Sequence, residues 1–283
     1  MSIDLITLVL LAAMLHAAWN ALAKSGGSPL YSIAANNLIG AVVCLCFLWL
    51  APFPPPEAWP FLIASVIIHT AYYFTLSKAY QSGDLSLVYP IFRGTAPLLV
   101  AGGAAWFHGE FLSPEALIGV MLISAGLLSL ALFGGHRIMA SRSSLGWALV
   151  TSVLIAAYTV TDGIGVRIVE SSLSYIFWLF MLESIPLGLW LLAIERRSWL
   201  NFMNRNRTHV LAGGLAATAA YGIVIHAMGL GPMALVSSLR ETSVIFAAMI
   251  GALLLHEPFG RRRIFAAALV ALGIMVIRYL ADT

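Results

Sequence analysis

Apolar segments of about 20 residues recur along the whole chain, with short polar or helix-breaking stretches between them. A helix that crosses a bilayer needs about 20 consecutive, mostly apolar residues, so each segment has the length of one span. The segments lie at residues 3–22, 30–50, 59–78, 86–106, 115–133, 145–166, 173–194, 209–229, 233–255 and 262–280. The pattern predicts an all-α integral membrane protein with ten transmembrane helices.

Composition excludes a soluble domain. Of the 283 residues, 61% are hydrophobic and only 10% are charged, whereas about 25% charged residues is usual for soluble proteins. The first segment carries Asp4 and no basic residue before its apolar run, so we interpret it as a retained helix and not as a signal peptide. The basic residues fall in short loops and form no soluble basic face, which gives no reason to expect a nucleic-acid partner.

The Lys and Arg residues are distributed unevenly between the two sets of loops. Eleven of the 15 follow an odd-numbered span, and the other set of loops holds only Arg167 and Arg278. Cytoplasmic loops carry the excess of Lys and Arg. The bias therefore predicts a multi-pass protein of the cytoplasmic (inner) membrane with both termini outside, in the periplasm. The eleven residues are Lys24, Lys78, Arg137, Arg142, Arg196, Arg197, Arg205, Arg207, Arg261, Arg262 and Arg263.

The chain repeats itself at an offset of 147 residues. Pairs at this offset are Arg93 and Arg240, Glu110 and Glu257, and Gly126 and Gly273. Each half then holds five spans, and an odd number of spans makes the second half enter the membrane from the opposite side. The sequence predicts two inverted five-helix repeats, residues 1–140 and 141–283, related by a pseudo-two-fold axis in the membrane plane.

The motifs of these halves resemble a known family. An early Arg in the fourth helix of each half is followed by Gly109-Glu110 in the first half and by His256-Glu257 in the second. This resembles the EamA-type members of the drug/metabolite transporter superfamily. The resemblance implies a central cavity formed mainly by spans one, three, four, six, eight and nine, with spans five and ten outside it. It also implies export of small solutes, and the overall pattern is similar to bacterial exporters of amino acids, including aromatic ones.

Four charged residues inside the spans are candidates for chemistry. Arg93 and Arg240 carry a charge that is costly in lipid, so each faces protein or water; they bind an anionic group such as a carboxylate, or they snorkel or form fixed ion pairs. Glu183, in the middle of span seven, is either a proton-coupling group or the partner of a basic residue. Glu241 is a second coupling candidate, although adjacent helix positions point about 100° apart and Arg240 need not pair with it.

Polar and aromatic residues share helix faces at i, i+3 and i+4. In a cavity they would supply stacking surface and hydrogen bonds to a small amphipathic ligand. Trp and Tyr also concentrate at membrane interfaces, which is the alternative reading. The candidates are His16, Trp19 and Asn20 in span one, His69, Tyr72 and Tyr73 in span three, and Tyr158, Thr159 and Tyr221 in the second half.

Other polar residues are interpreted as structural. Glu110 and Glu257 are expected to cap helix ends, and Asp162, late in span six, is expected near the membrane interface. Pro90 and Pro97 each remove a backbone hydrogen bond and should make span four bendable. No His, Cys or carboxylate spacing is typical of a metal site, and neither a metal nor another cofactor is expected.

These observations favour a secondary transporter that works by alternating access. Its partners would be a small-molecule substrate, the lipid bilayer and, if transport is coupled to a pH gradient, protons. The sequence leaves the oligomeric state open. The apolar, aromatic lining favours neutral or aromatic amino acids, with efflux of drugs or other metabolites as the alternative. A membrane-embedded enzyme would need paired Asp, a His cluster or a Gly-x-Ser-x-Gly turn, and the sequence contains none of these. We expect no enzymatic activity.

Overall fold

The computed structural model describes residues 1–25, 28–82, 85–132, 142–254 and 260–280, and within these it contains α-helices, two short 3-10 helices and no strand. The 3-10 helices, Leu48–Leu50 and Pro56–Ala58, flank the proline-rich loop after the second helix. The α-helices are α1 (Ile3–Ser25), α2 (Pro29–Cys46), α3 (Trp59–Ser82), α4 (Leu85–His108), α5 (Pro114–Leu132), α6 (Arg142–Val166), α7 (Ser172–Ile194), α8 (Arg196–Arg205), α9 (Arg207–Leu230), α10 (Met233–Glu241), α11 (Ser243–Leu254) and α12 (Arg261–Tyr279).

Eight of the described helices, α1 to α7 and α9, are long and apolar enough to cross a membrane. They coincide with the first eight predicted spans, which confirms a multi-pass helical membrane protein. Helices α10 and α11 together cover the ninth predicted span, and α12 covers the tenth but carries four arginines, at 261–263 and 278. The count of ten spans therefore remains a prediction.

The ninth predicted span is interrupted at Thr242. The Thr242 N–H donates to the Leu239 carbonyl oxygen at 3.1 Å, and its Oγ1 donates to the same oxygen at 2.6 Å. This i to i−3 turn is tighter than an α-helical turn and separates α10 from α11. The sequence offered no Gly or Pro to indicate the interruption. Helix α4, in contrast, runs continuously through Pro90 and Pro97.

The small residues of the tenth predicted span pack against α5, as expected from their size. A Cβ atom added at Gly273 would lie 2.7 Å from the Gly119 carbonyl oxygen, and one added at Gly126 would lie 2.9 Å from the Ala266 carbonyl oxygen. Ala266 and Gly273 are buried whereas Ala268 is exposed. Two faces with small residues thus let the backbones of α5 and α12 approach closely, outside the centre of the molecule.

The other helices surround the centre in pairs. Helix α1 packs against α9, α3 against α6, α2 against α7 and α9, and α4 against both α6 and α10. Apolar side chains between these pairs form buried clusters, for example around Tyr175, Leu179 and Met228. Large apolar residues on the outward faces are exposed, as is normal for side chains that contact lipid. The arrangement leaves a cavity between α1, α2, α3, α6, α7, α9 and α10.

Candidate functional site

A cavity of about 100 Å³ lies at the centre of the helices. This volume is enough for several water molecules and smaller than the roughly 300–1,000 Å³ of most ligand pockets. Its lining combines aromatic rings with a few polar and charged groups. The lining residues are His16, Trp19, Ile33, Asn36, Asn37, Gly40, His69, Tyr72, Tyr73, Leu76, Tyr158, Phe180, Glu183, Ala217, Thr218, Tyr221 and Arg240.

The structure brings nine of the sequence-predicted site residues to this cavity and leaves four outside its lining. The nine are His16, Trp19, His69, Tyr72, Tyr73, Tyr158, Glu183, Tyr221 and Arg240. The four others are Asn20, Arg93, Thr159 and Glu241. Asn20 donates from Nδ2 to the His16 carbonyl oxygen at 2.7 Å, and Thr159 donates from Oγ1 to the Ile155 carbonyl oxygen at 2.6 Å. Both side chains therefore form hydrogen bonds with backbone carbonyl oxygens of their own helices.

The helices around the cavity differ from those that the family resemblance implies. Helices α2 and α7 contribute to the lining, and α4, the fourth span, contributes none of the described lining residues. Asn36 and Asn37 in α2 were missed by the sequence reasoning. Two adjacent amides within an apolar span are costly in lipid unless they face protein or water, and that cost was the available signal.

An aromatic wall forms where α3 meets α6 and α9. The ring of His69 stacks on that of Tyr158 with centroids 4.0 Å apart, and Tyr221 meets His69 edge-on at 5.6 Å. Tyr72 meets Tyr158 edge-on at 5.4 Å. The i, i+3, i+4 spacing of His69, Tyr72 and Tyr73 places them on one helix face, as predicted. These rings line the cavity with aromatic surface.

A buried ion-pair bridge joins the two halves of the chain beside this wall. Glu241 accepts from Arg93 Nη1 at 3.0 Å and from Arg240 Nη2 at 2.8 Å. Arg240 Nε also donates to Glu241, at 3.1 Å. Adjacent helix positions point about 100° apart, yet these neighbours pair because α10 ends at Glu241 and both side chains are long enough to turn back. Glu241 is thus held between two guanidinium groups.

Arg93 lies behind the cavity wall and reaches it through His16. Arg93 Nη2 lies 2.8 Å from His16 Nε2, and the Trp19 indole Nε1 lies 3.3 Å from His16 Nδ1. Guanidinium and indole nitrogens only donate, and a neutral imidazole offers one acceptor nitrogen. The Trp19 N–H donates to Nδ1 in one tautomer of His16, and Arg93 donates to Nε2 in the other, so the two donors compete for the single acceptor nitrogen of a neutral ring.

Glu183 lines the cavity without a partner. Its side chain is 5% exposed, and among the residues that the structure describes it has no hydrogen bond or ion pair. Asn37, which lines the same cavity, has a buried Nδ2 without a hydrogen-bond partner. A buried ionised carboxylate is costly unless a cation accompanies it. The ion pair with a basic residue that the sequence allowed for Glu183 is therefore not found in the described part of the chain.

The contacts of Asp162 were missed by the sequence reasoning. Its side chain is fully buried among the helices, and its expected depth near the membrane interface stays a prediction. Its Oδ1 accepts from the Tyr175 hydroxyl at 2.9 Å, and its Oδ2 accepts from the Tyr221 hydroxyl at 2.6 Å. Counting from the end of span six could not show that α7 and α9 close over it. Asp162 fixes the orientation of Tyr221, a ring of the cavity wall.

Glu110 has the capping role that was expected of it, at a different helix. Its Oε1 accepts from the Met233 N–H at 2.7 Å, at the start of α10, and its Oε2 lies 2.7 Å from Arg167 Nη1. Arg167 also donates to the carbonyl oxygens of Met228 and Gly231. The contact satisfies a free N–H at the positive end of α10. The matching prediction for Glu257 lies outside the described residues.

The sequence of each half matches one known family. Residues 5–132 and again residues 142–279 match the EamA-like transporter family. The chain belongs to this family. It is therefore a membrane transporter of the drug/metabolite transporter type, as the sequence resemblance predicted. The predicted division at 140/141 falls between the two matched ranges.

Comparison with solved structures supports the fold of this EamA-like transporter. A crystal structure with 18% sequence identity aligns over 100% of this chain and 99% of that chain, with a TM-score of 0.80. At this identity the likeness concerns the fold alone. Comparison with curated proteins found no match.

Proposed function

We propose that this transporter exports amino acids, with neutral and aromatic ones preferred, across the cytoplasmic membrane by alternating access. The observation that carries the proposal is the lining of the central cavity. It combines Arg240, an unpartnered Glu183 and a wall of aromatic rings within one space.

The charges around the cavity suit a zwitterion. Arg93 and Arg240 share the single carboxylate of Glu241, so one positive charge remains uncompensated in that cluster. Arg240 lines the cavity and can donate to a substrate carboxylate. Glu183 can accept from the substrate ammonium. A substrate that carries a carboxylate and an ammonium neutralises the charges of Arg240 and Glu183, whereas a simple anion or cation leaves one of these buried charges unpaired.

The aromatic rings of the cavity favour substrates with an apolar or aromatic side chain. Tyr158, Tyr221 and Phe180 line the cavity with Trp19, and such rings bind apolar or aromatic groups by stacking and edge contacts. Sugars would need more amide and carboxylate partners. A cavity of about 100 Å³ must widen to admit an amino acid, and alternating access supplies such a movement.

Alternating access is supported by how the two halves pack. Among the predicted spans, span one packs against span eight, span two against span seven, span three against span six, span four against span nine and span five against span ten. This pattern maps onto itself when the halves are exchanged, as an inverted repeat requires. The interruption at Thr242 follows directly after Arg240 and Glu241, at a position where a helix break can act as a hinge beside the site.

Glu183 offers a route to proton coupling. One buried carboxylate accommodates one cation at a time, either a proton or a substrate ammonium. If the proton enters from outside when the ammonium leaves, inward proton movement drives export. This reading makes Glu183 the coupling residue. Glu241 is already held by two arginines.

The test is flux of radiolabelled solutes in proteoliposomes, with and without a pH gradient. The panel holds aromatic and aliphatic amino acids, sugars and lipophilic cations. Transport of amino acids, fastest for neutral and aromatic ones, is the expected result. Transport of lipophilic cations without amino acids would replace the proposal with drug efflux. Absence of any flux, together with chemical conversion of a solute, would indicate a membrane-embedded enzyme.

A further inference from the structure

Helix α8 is a short amphipathic helix that the span pattern did not predict. It joins the end of α7 to the start of α9 and contains Arg196-Arg-Ser-Trp-Leu-Asn-Phe-Met-Asn-Arg205. At 100° per residue, Trp199, Phe202 and Met203 fall on one face, and Arg197 and Arg205 fall on the other, about 80° apart. The sequence thus separates an apolar face from a basic face within three turns.

The apolar face is fixed to the start of α2. Trp199 is 2% exposed, and its Nε1 donates to the Tyr31 carbonyl oxygen at 3.3 Å. The Phe202 ring meets the Tyr31 ring edge-on at 5.6 Å. The Tyr31 hydroxyl donates to the Glu195 carboxylate, just before α8. Helix α8 is therefore a packed element of the transporter and holds its basic face in a defined position.

The basic face is exposed and has no acidic partner in the described part of the chain. Arg197 and Arg205 of this face are exposed, as are Arg196, the first residue of α8, and Arg207, the first residue of α9. None of the four forms an ion pair with a described carboxylate. Glu195, the acidic residue next to them, accepts a hydrogen bond from the Tyr31 hydroxyl. Four guanidinium groups within 12 residues thus remain available to anions from outside the protein.

The neighbouring residues place this face at the level of the lipid headgroups. Ile194, the last residue of α7, is 65% exposed, and Leu211, in the second turn of α9, is 52% exposed. Exposed apolar residues on membrane spans contact lipid chains. The arginines lie within one or two turns of both, and therefore close to the boundary between hydrocarbon and water.

We propose that the basic face of α8 binds the phosphates of anionic phospholipid headgroups. Arg donates in a planar fork that matches phosphate geometry. An anionic leaflet also attracts basic residues near its surface. Bound lipid would restrain α8 and, through Tyr31, the start of α2, whose residues Ile33, Asn36 and Asn37 line the cavity. The inference does not depend on which solute is transported.

The test measures lipid binding and thermal stability of the full-length protein purified in a non-ionic detergent. Native mass spectrometry would count bound phosphatidylglycerol or phosphatidylcholine for the wild type and for the double variant Arg197→Gln, Arg205→Gln. The control is Lys78→Gln, Arg142→Gln, which removes two positive charges from other exposed positions. The single variants Arg197→Gln and Arg205→Gln repeat the test should the double variant not fold.

We expect the wild type and the control to retain phosphatidylglycerol in preference to phosphatidylcholine, and to melt at a higher temperature with it. Loss of two α8 arginines should weaken phosphatidylglycerol binding about 30-fold and abolish its effect on melting. Equal binding of the two lipids, or an equal loss in the control, would refute the proposal. Stabilisation by inorganic phosphate as large as that by phosphatidylglycerol would show an anion site that is not specific to lipid.

Discussion

At the scale of single residues, Arg93 and Arg240 have equivalent positions in the sequence and different positions in the structure. Both contact Glu241, but Arg240 lines the cavity and Arg93 lies behind His16. The repeat predicted a pair of equivalent arginines, and it could not show which of them lines the cavity. That distinction depends on the path of α10 relative to α4.

This difference predicts unequal effects of replacing the two arginines. Arg240→Gln should raise the KM for an amino acid about tenfold or more while changing the KM for the corresponding amide little, since a bond to a charged group contributes about 1.5–3 kcal/mol. Arg93→Gln should weaken the acid and its amide alike. The measurement is proteoliposome flux of both compounds. A selective loss of the acid in Arg93→Gln alone would reverse the assignment.

Glu183 is predicted to couple transport to protons. Glu183→Gln keeps the size of the side chain and removes its charge, so a pH gradient should no longer accelerate flux. Exchange of labelled for unlabelled solute should continue with a higher KM, because the Gln carbonyl oxygen still accepts a hydrogen bond from the substrate ammonium but no longer neutralises its charge. Glu170→Gln, at an exposed position, is the matched control and should respond to the gradient as the wild type does. Flux that still follows the gradient in Glu183→Gln would remove the coupling role.

At the scale of helices, the features that depend on local sequence pattern could be predicted from the sequence. The features that depend on contacts between helices could not. The faces with His69, Tyr72 and Tyr73 follow from helical spacing alone. The burial of Asp162 depends on Tyr175 and Tyr221 from other helices. The interruption at Thr242 likewise has no local signal.

Close packing between α5 and α12 gives a prediction at this scale. In Gly273→Ala the new methyl group would lie 2.7 Å from the Gly119 carbonyl oxygen and 2.8 Å from Ile123 Cγ1. Overpacking of this kind costs about 1–3 kcal/mol, so the melting temperature in detergent should fall. Gly188→Ala is the control, because a Cβ atom there has no neighbour within 4 Å. An equal or higher melting temperature for Gly273→Ala would contradict the close contact.

At the scale of the whole molecule, the distribution of basic residues and the repeat lead to one orientation. The exposed arginines of α8 lie between α7 and α9, whereas Glu57 lies in the loop between α2 and α3. With spans that alternate in direction, these two positions are on opposite sides of the membrane. The excess of Lys and Arg predicts that α8 lies in the cytoplasm and that Glu57 lies outside, together with both termini.

Thiol labelling tests this orientation in intact cells. Cys44 and Cys46, the two cysteines of the chain, would first be replaced by Ser. A membrane-impermeant maleimide should then label Glu57→Cys before lysis and Ser198→Cys only after lysis, because an external reagent reaches only the periplasmic side. Both positions are exposed, so differences in labelling report sidedness and not burial. The reverse result would place α8 outside, turn the direction of the proposed export around and remove the anionic cytoplasmic leaflet as the surface that α8 meets. Labelling of both positions before lysis would contradict the alternation of spans itself, and with it the inverted repeat.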